Sequence, residues 1–156
     1  EEVFNALGDK VMINVEIKEP THPSISIVDK VIDLIHKRNL ASSVVISSFN
    51  HDVLKQVYSK DKTLKIAVLT DKSLENIDPV KLTRSLHGIS FNPDSQFITK
   101  EAVDKLHEAG LLVLPWSHTP DDNSETIQKM LNIGVDGIFT NHPDVMKEKI
   151  KKQGEE

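Results

Sequence analysis

The chain contains no cysteine. That excludes disulfides, thiolate metal sites and a cysteine nucleophile, and it suits a cytoplasmic protein. No apolar run approaches the roughly 20 residues that span a bilayer, so no transmembrane segment is expected. Lysine and arginine form no basic block and the formal charge is −5 over 156 residues. Nucleic-acid binding therefore has no electrostatic footprint. There is one tryptophan, and no glycine-rich phosphate loop follows the first strand. An initiating methionine is also lacking. The first nine residues do not read as a signal peptide. Phe4 and Leu7 fall on one helical face that Gly8 stops, so the chain reads as a fragment that begins at or within a helix.

What remains is an ordinary globular composition, long enough for one core and one domain over residues 1–156. The chain is organised around Val11-Met12-Ile13-Asn14-Val15-Glu16-Ile17-Lys18. Read as a strand, it points Val11, Ile13, Val15 and Ile17 to one face and Met12, Asn14, Glu16 and Lys18 to the other. Glu and Lys are rarely buried unless paired or coordinated, so the second face is the candidate site.

Strand and helix signals alternate from there. Ser24 caps a helix carrying Val28, Val31, Ile32 and Ile35. Val44-Val45-Ile46 reads as a buried strand ending at Ser47-Ser48-Phe49-Asn50, and residues 51–58 as a helix. A strand follows at 65–70, then a helix opening near Pro79 and a short strand beginning at His87. Thr99 caps a helix that Gly110 ends. A strand at 111–116 ends in Trp116, Ser124 caps a helix stopped by Gly134, residues 135–140 form a last strand, and Pro143 opens a Lys-rich helix. Such alternation means parallel strands with right-handed crossovers, in an open doubly wound sheet or a (β/α) barrel. The polar face of the opening strand and the missing phosphate loop favour the barrel. A barrel of eight strands takes about 250 residues, so roughly two βα units are lacking.

Several segments, in order, resemble the glycerophosphodiester phosphodiesterase family. Asn14-Val15-Glu16-Ile17-Lys18 is similar to its Glu-Ile-Lys strand. Val45-Ile46-Ser47-Ser48-Phe49-Asn50 is similar to its Ser-Ser-Phe strand. Residues 110–116 resemble its turn and strand ending in Trp. Gly134-Val135-Asp136-Gly137-Ile138-Phe139-Thr140-Asn141-His142-Pro143 resembles its closing segment. The resemblance implies a (β/α)8 TIM-type barrel with its site at the C-terminal strand ends. It also implies hydrolysis of glycerophosphodiesters to glycerol 3-phosphate and an alcohol with a divalent metal, Mg²⁺ or Ca²⁺. Carried over, Glu16 matches a metal ligand, Lys18 a substrate phosphate or glycerol contact, and Trp116 a residue lining the glycerol pocket.

The departures are equally specific. The family's opening His-Arg-Gly, Pro-Glu-Asn-Thr, Glu-x-Asp and His-Asp motifs have no match in position; His51-Asp52 follows the wrong strand. Trp-Thr-Val-Asn is replaced by Trp116-Ser117-His118-Thr119, and the closing Thr-Asp by Thr140-Asn141. No catalytic residue is therefore assigned, and the chain alone is expected to be inactive. His22, His51, His118 and His142 follow strand ends, on the side of a barrel site, where histidine serves as acid or base. His36, His87 and His107 are given no role. The bland alternatives are a structural Glu16–Lys18 ion pair, packing for Trp116 and Phe49, and a solvated helix end for Lys147, Lys149, Lys151 and Lys152. Two rival functions stand beside the enzyme: a non-catalytic shortened barrel that binds a phosphorylated ligand or a partner chain, and an unrelated α/β sheet. Open sheet edges would favour self-association or pairing.

Overall fold

The computed structural model describes residues 1–8, 10–18 and 25–154. Ser24 and His22 lie outside the described residues. The helices and strands group into two compact units, Glu1–Leu69 with Thr83–Ile89, and Thr70–Leu82 with Ser90–Glu156.

The first unit holds α1 (Glu2–Leu7), β1 (Ile13–Glu16), α2 (Ile25–Lys37), β2 (Val44–Ser48), α3 (His51–Lys60) and nearly all of β3 (Lys65–Thr70). Gly8 ends α1 with a φ of 55°, as its lack of a Cβ permits. β1 pairs β2 and β2 pairs β3, both parallel. The registers align Val15, Ile46 and Ile66 in one row and Glu16, Ser47 and Ala67 in the next. Paired residues of adjacent strands share a face. The first row turns to the core with Val28 and Ile35 of α2 and Val53, Leu54 and Val57 of α3, all buried. The second carries the candidate site.

β1 is shorter than the eight-residue strand expected. Val11 and Met12 are exposed and lie outside it. Only four residues find pairing partners in β2, and a strand lasts as long as its ladder. α3 starts where expected, because the Asn50 side chain accepts the Asp52 N–H at 3.0 Å. His87 does not open a strand. It sits at φ 55° with its ring stacked on Tyr58 at 3.6 Å, and the next strand starts three residues later.

α4 (Pro79–Ser85) runs across the boundary between the units, with Pro79 at its first position. The second unit holds β4 (Ser90–Pro93), α5 (Lys100–Glu108), β5 (Leu112–Val113), α6 (Ser124–Ile133) and α7 (Pro143–Gly154). β4 and β5 are parallel, and their register continues as bridges from Asp94 to Trp116 and from Trp116 to Phe139. Phe91, Val103, Leu106, Val113, Ile127 and Met130 form its buried core. Thr99 caps α5 as expected. α6 is capped by Asn123 rather than Ser124, its side chain accepting from Glu125 and Thr126 N–H. Gly134 then closes α6 in the left-handed region.

The strand expected over 135–140 is reduced to the single bridge at Phe139. Two contacts with the preceding strand accompany this. The Val113 N–H donates to the Asp136 carboxylate at 2.7 Å, so a side chain takes a place in the ladder. Gly137 lies against Leu114, whose Cδ2 would be 3.2 Å from an added Cβ.

Gly88 generates a test of packing in the first unit. A Cβ there would lie 2.9 Å from Val68 Cγ2 and 3.0 Å from Thr83 Cγ2. Both neighbours are β-branched and stiff. Gly88→Ala should cost about 1–3 kcal/mol, read from the urea midpoint; an unchanged midpoint would show that the two methyls yield freely.

Candidate active site

In the first unit the site begins at the C-terminal end of β1. Glu16 is followed by Ile17, whose side chain is buried, and by Lys18, whose side chain is 80% exposed. Glu16 Oε2 and Lys18 Nζ are 3.9 Å apart, a loose ion pair. Exposed pairs of this kind contribute little to stability, so the two groups keep their capacity for other partners. The structure thus brings Glu16 and Lys18 together on one face, as the alternation requires. Glu16 is paired with the small, buried Ser47, which is in turn paired with the small, buried Ala67. Asn14 donates from Nδ2 to Ser47 Oγ at 2.9 Å on the same face.

Ser48 holds this strand end. Its buried hydroxyl donates to the Ile17 carbonyl at 2.7 Å and accepts the Asn50 N–H at 3.0 Å. One side chain therefore satisfies the chain leaving β1 and the turn that enters α3. His51 is tied down too, with Nε2 3.0 Å from the Leu69 carbonyl. Phe49 is 42% exposed, so of core and rim packing it has the rim.

In the second unit the row Asp94–Trp116–Phe139 marks the strand ends. Two bonds tie the Trp116 backbone to the segment around Asp94: its N–H donates to the Pro93 carbonyl at 3.0 Å, and its carbonyl accepts from Ser95 N–H at 2.8 Å. His118 stands edge-on to the indole, ring centres 4.7 Å apart, with Nε2 3.9 Å from Asp94 Oδ2. The Asp94 carboxylate is buried and accepts from the Gln96 backbone and side chain. Ser95 and Ser117 share a hydroxyl–hydroxyl bond of 2.7 Å.

Asp122 was not singled out by sequence reasoning. It is buried and accepts three hydrogen bonds: from Thr140 Oγ1 at 2.6 Å, Asn141 N at 2.6 Å and Asn141 Nδ2 at 3.0 Å. Burial alone would push its carboxyl up. The bonds from Asn141 and Thr140, with the nearby His142, outweigh burial and hold it below the usual carboxylate range. In sequence Asp121-Asp122 looks like loop polarity, and only the folded pairing distinguishes the buried member. His36 and His107 face Asp61 at 2.6 Å and Asp136 at 2.9 Å, which are surface pairings. Lys149 and Lys152 bond Gln128 and Glu148 on α6 and α7, in keeping with a helix end.

No three His, Cys, Asp or Glu residues among those described stand close enough to hold a metal ion. A hard divalent ion takes roughly 6–8 oxygens, so Glu16 fits as one ligand and the described residues do not complete a shell.

The model of the glycerophosphoryl diester phosphodiesterase family matches residues 1–145, nearly the whole chain. The chain belongs to this family. A glycerophosphodiester phosphodiesterase of Caldanaerobacter subterraneus subsp. tengcongensis is 32% identical over 154 residues, which is 98% of this chain and 61% of that protein. Among solved structures, a protein of Galdieria sulphuraria described as a candidate glycerophosphodiester phosphodiesterase superposes with a TM-score of 0.88 at 24% identity, over 96% of this chain and 62% of the other. An Oleispira antarctica phosphodiesterase, solved in complex with the product sn-glycerol-3-phosphate, gives 0.77 at 17% identity, over 96% of this chain and 58% of the other. These likenesses show the α/β fold of the family's (β/α)8 barrels. The chain spans about 60% of the length of such phosphodiesterase relatives.

Two predictions follow from the two units. Ser48→Ala should cost about 1–3 kcal/mol, because the buried Ile17 carbonyl loses its donor and the half-buried Asn50 N–H its acceptor; a loss below a few tenths in chemical denaturation would show that the strand end is held otherwise. For Asp122 the folded value lies below the unfolded one. Its stabilisation is present above the unfolded value and is lost as pH falls through the folded value. Asp122→Asn should thus be less stable than wild type at neutral pH, with the gap closing below about pH 4. A gap of equal size at about pH 7 and pH 3 would assign the stabilisation to something other than the charge.

Proposed function

We propose that this chain forms part of a metal-dependent phosphodiesterase that hydrolyses glycerophosphodiesters to glycerol 3-phosphate and an alcohol. Membership of the family supports the reaction class. The observation that carries the assignment to these residues is the Glu16–Lys18 pair at the C-terminal end of β1, one carboxylate and one ammonium side by side. Glu16 is proposed as one oxygen ligand of Mg²⁺ or Ca²⁺, which would stabilise negative charge growing on the phosphoryl group. Lys18, long and exposed, is proposed to meet the substrate phosphate as a mobile point charge. Trp116 is proposed to line the glycerol pocket, its apolar ring covering the carbon backbone of the glycerol. The Oleispira antarctica relative's bound sn-glycerol-3-phosphate supports a product of that class. A cytoplasmic location rests on the cysteine-free composition.

One carboxylate does not complete a metal shell, so the isolated 156-residue chain is expected to bind ligand without turnover. Glycerophosphocholine hydrolysis, assayed with Mg²⁺ and with Ca²⁺, should stay at the uncatalysed rate. Turnover abolished by Glu16→Gln would overturn that expectation while strengthening the role of Glu16. Calorimetric titration with Ca²⁺ should give a dissociation constant on the order of 10⁻³ M or weaker, lost in Glu16→Gln; binding unchanged by the substitution removes the ligand assignment.

A further inference from the structure

We propose that Asp122 is a positioning residue for Trp116 and the loop that follows it. It would hold the loop of residues 117–122 against Thr140 and Asn141. The inference rests on the reading that Trp116 lines the pocket, and it assigns the means by which that wall keeps its shape.

The Trp116 backbone is secured by Pro93, Ser95 and the bridge to Phe139. The loop beyond it has no ladder to follow. His118, whose ring stands nearly perpendicular to the indole, is 67% exposed in its side chain, so burial does not fix its place. Ser117 anchors the near end of the loop to Ser95. The far end closes on Asp122, whose N–H donates to the His118 carbonyl at 2.9 Å. The carboxylate of the same residue takes both donors of Asn141 and the hydroxyl of Thr140. Thr140 in turn accepts the His142 N–H at 2.9 Å. Asp122 thus joins the His118 turn to the segment that follows Phe139, the strand-end neighbour of Trp116. Charge-assisted bonds of this kind are short and about twice as strong as neutral ones. An amide would lose the charge that strengthens all three bonds and would have one accepting oxygen in place of two, with its NH₂ set against the Thr140 hydroxyl that now donates.

The single tryptophan makes the arrangement measurable without catalysis. Thr140→Val removes one of the three donors, Thr140→Ser keeps the hydroxyl, and Asp122→Asn disrupts the set. Each is measured at a temperature where its far-UV circular dichroism matches wild type. Acrylamide quenching of Trp116 emission should rise about twofold in Thr140→Val and Asp122→Asn and stay at the wild-type value in Thr140→Ser, because a loosened loop exposes the indole. The affinity for sn-glycerol 3-phosphate should fall about tenfold in the first two variants, since small misplacements of a positioning group carry large costs. Ser48→Ala, destabilised in the other unit, should leave quenching unchanged and so separates local positioning from general loss of stability. Wild-type quenching in Thr140→Val, or an equal rise in Thr140→Ser or Ser48→Ala, overturns the proposal. Should Asp122→Asn fail to fold, Thr140→Val decides alone. If the wild-type chain binds no glycerol 3-phosphate, the pocket reading of Trp116 fails, while the quenching comparison still decides whether Asp122 holds the loop.

Discussion

The parallel pairing of β1 with β2 is the constraint on which the first unit depends. Its register decides what stands beside Glu16. With Glu16 opposite Ser47, and Ser47 opposite Ala67, the carboxylate has small neighbours on its own face. A shift by one residue would turn Glu16 to the face of Val15 and Ile46, where an unpaired carboxylate in the core costs several kcal/mol. The apolar row Val15–Ile46–Ile66 is therefore more than packing, because burying it forces the polar residues to the other side. Ser48 finishes the arrangement. Its position one residue past Ser47 puts its hydroxyl on the core face, where it bonds the Ile17 carbonyl. The two adjacent serines of the Ser-Ser-Phe segment thus do opposite work: Ser47 serves the site face and Ser48 holds the strand end from behind.

Most of the fold was legible in the sequence because its signals are local. The α2 stripe of Val28, Ile32 and Ile35, the Asn50 and Thr99 ends, and the glycines at positions 110 and 134 act within a few residues. The failures share a different cause. Val11 and Met12 continue the alternation of β1 but lack partners, and alternation cannot report whether a ladder exists. The segment 135–140 has the β-branched and aromatic content of a strand, yet Asp136 spends its carboxylate on Val113 N–H. That exchange depends on a residue 23 positions away and leaves no mark in the local pattern. The helix start at Asn123 rather than Ser124 is a milder case, since both residue types cap well and the choice turned on which side chain reaches the free N–H groups.

The candidate site was legible in part for the same reason. Glu16 and Lys18 are two apart on one strand, so their common face follows from the period of the backbone alone. Trp116 at a strand end was equally accessible. Asp122 was not, because a buried carboxylate is defined by its donors and these come from elsewhere in the chain, Thr140 and Asn141. The family resemblance drew attention to Trp116 and to the closing Thr-Asn without indicating that a third residue joins them.

The contrast between the two carboxylates near the ends of the strands bears on function. Asp122 already accepts from three donors, one of them the Thr140 hydroxyl at 2.6 Å, which leaves it little acceptor capacity for a ligand. Among the described residues, Glu16 has a loose contact with Lys18. A carboxylate that is already satisfied shapes a site, whereas one that is not has lone pairs left for a cation or a substrate hydroxyl. The same distinction applies among the histidines. His36 and His107 face carboxylates on the surface, and His51 is turned toward a backbone carbonyl. Among the described residues, His118 faces a carboxylate 3.9 Å away and a perpendicular indole, the loosest setting of these imidazoles. Free valence, more than residue type, separates groups that act from groups that support.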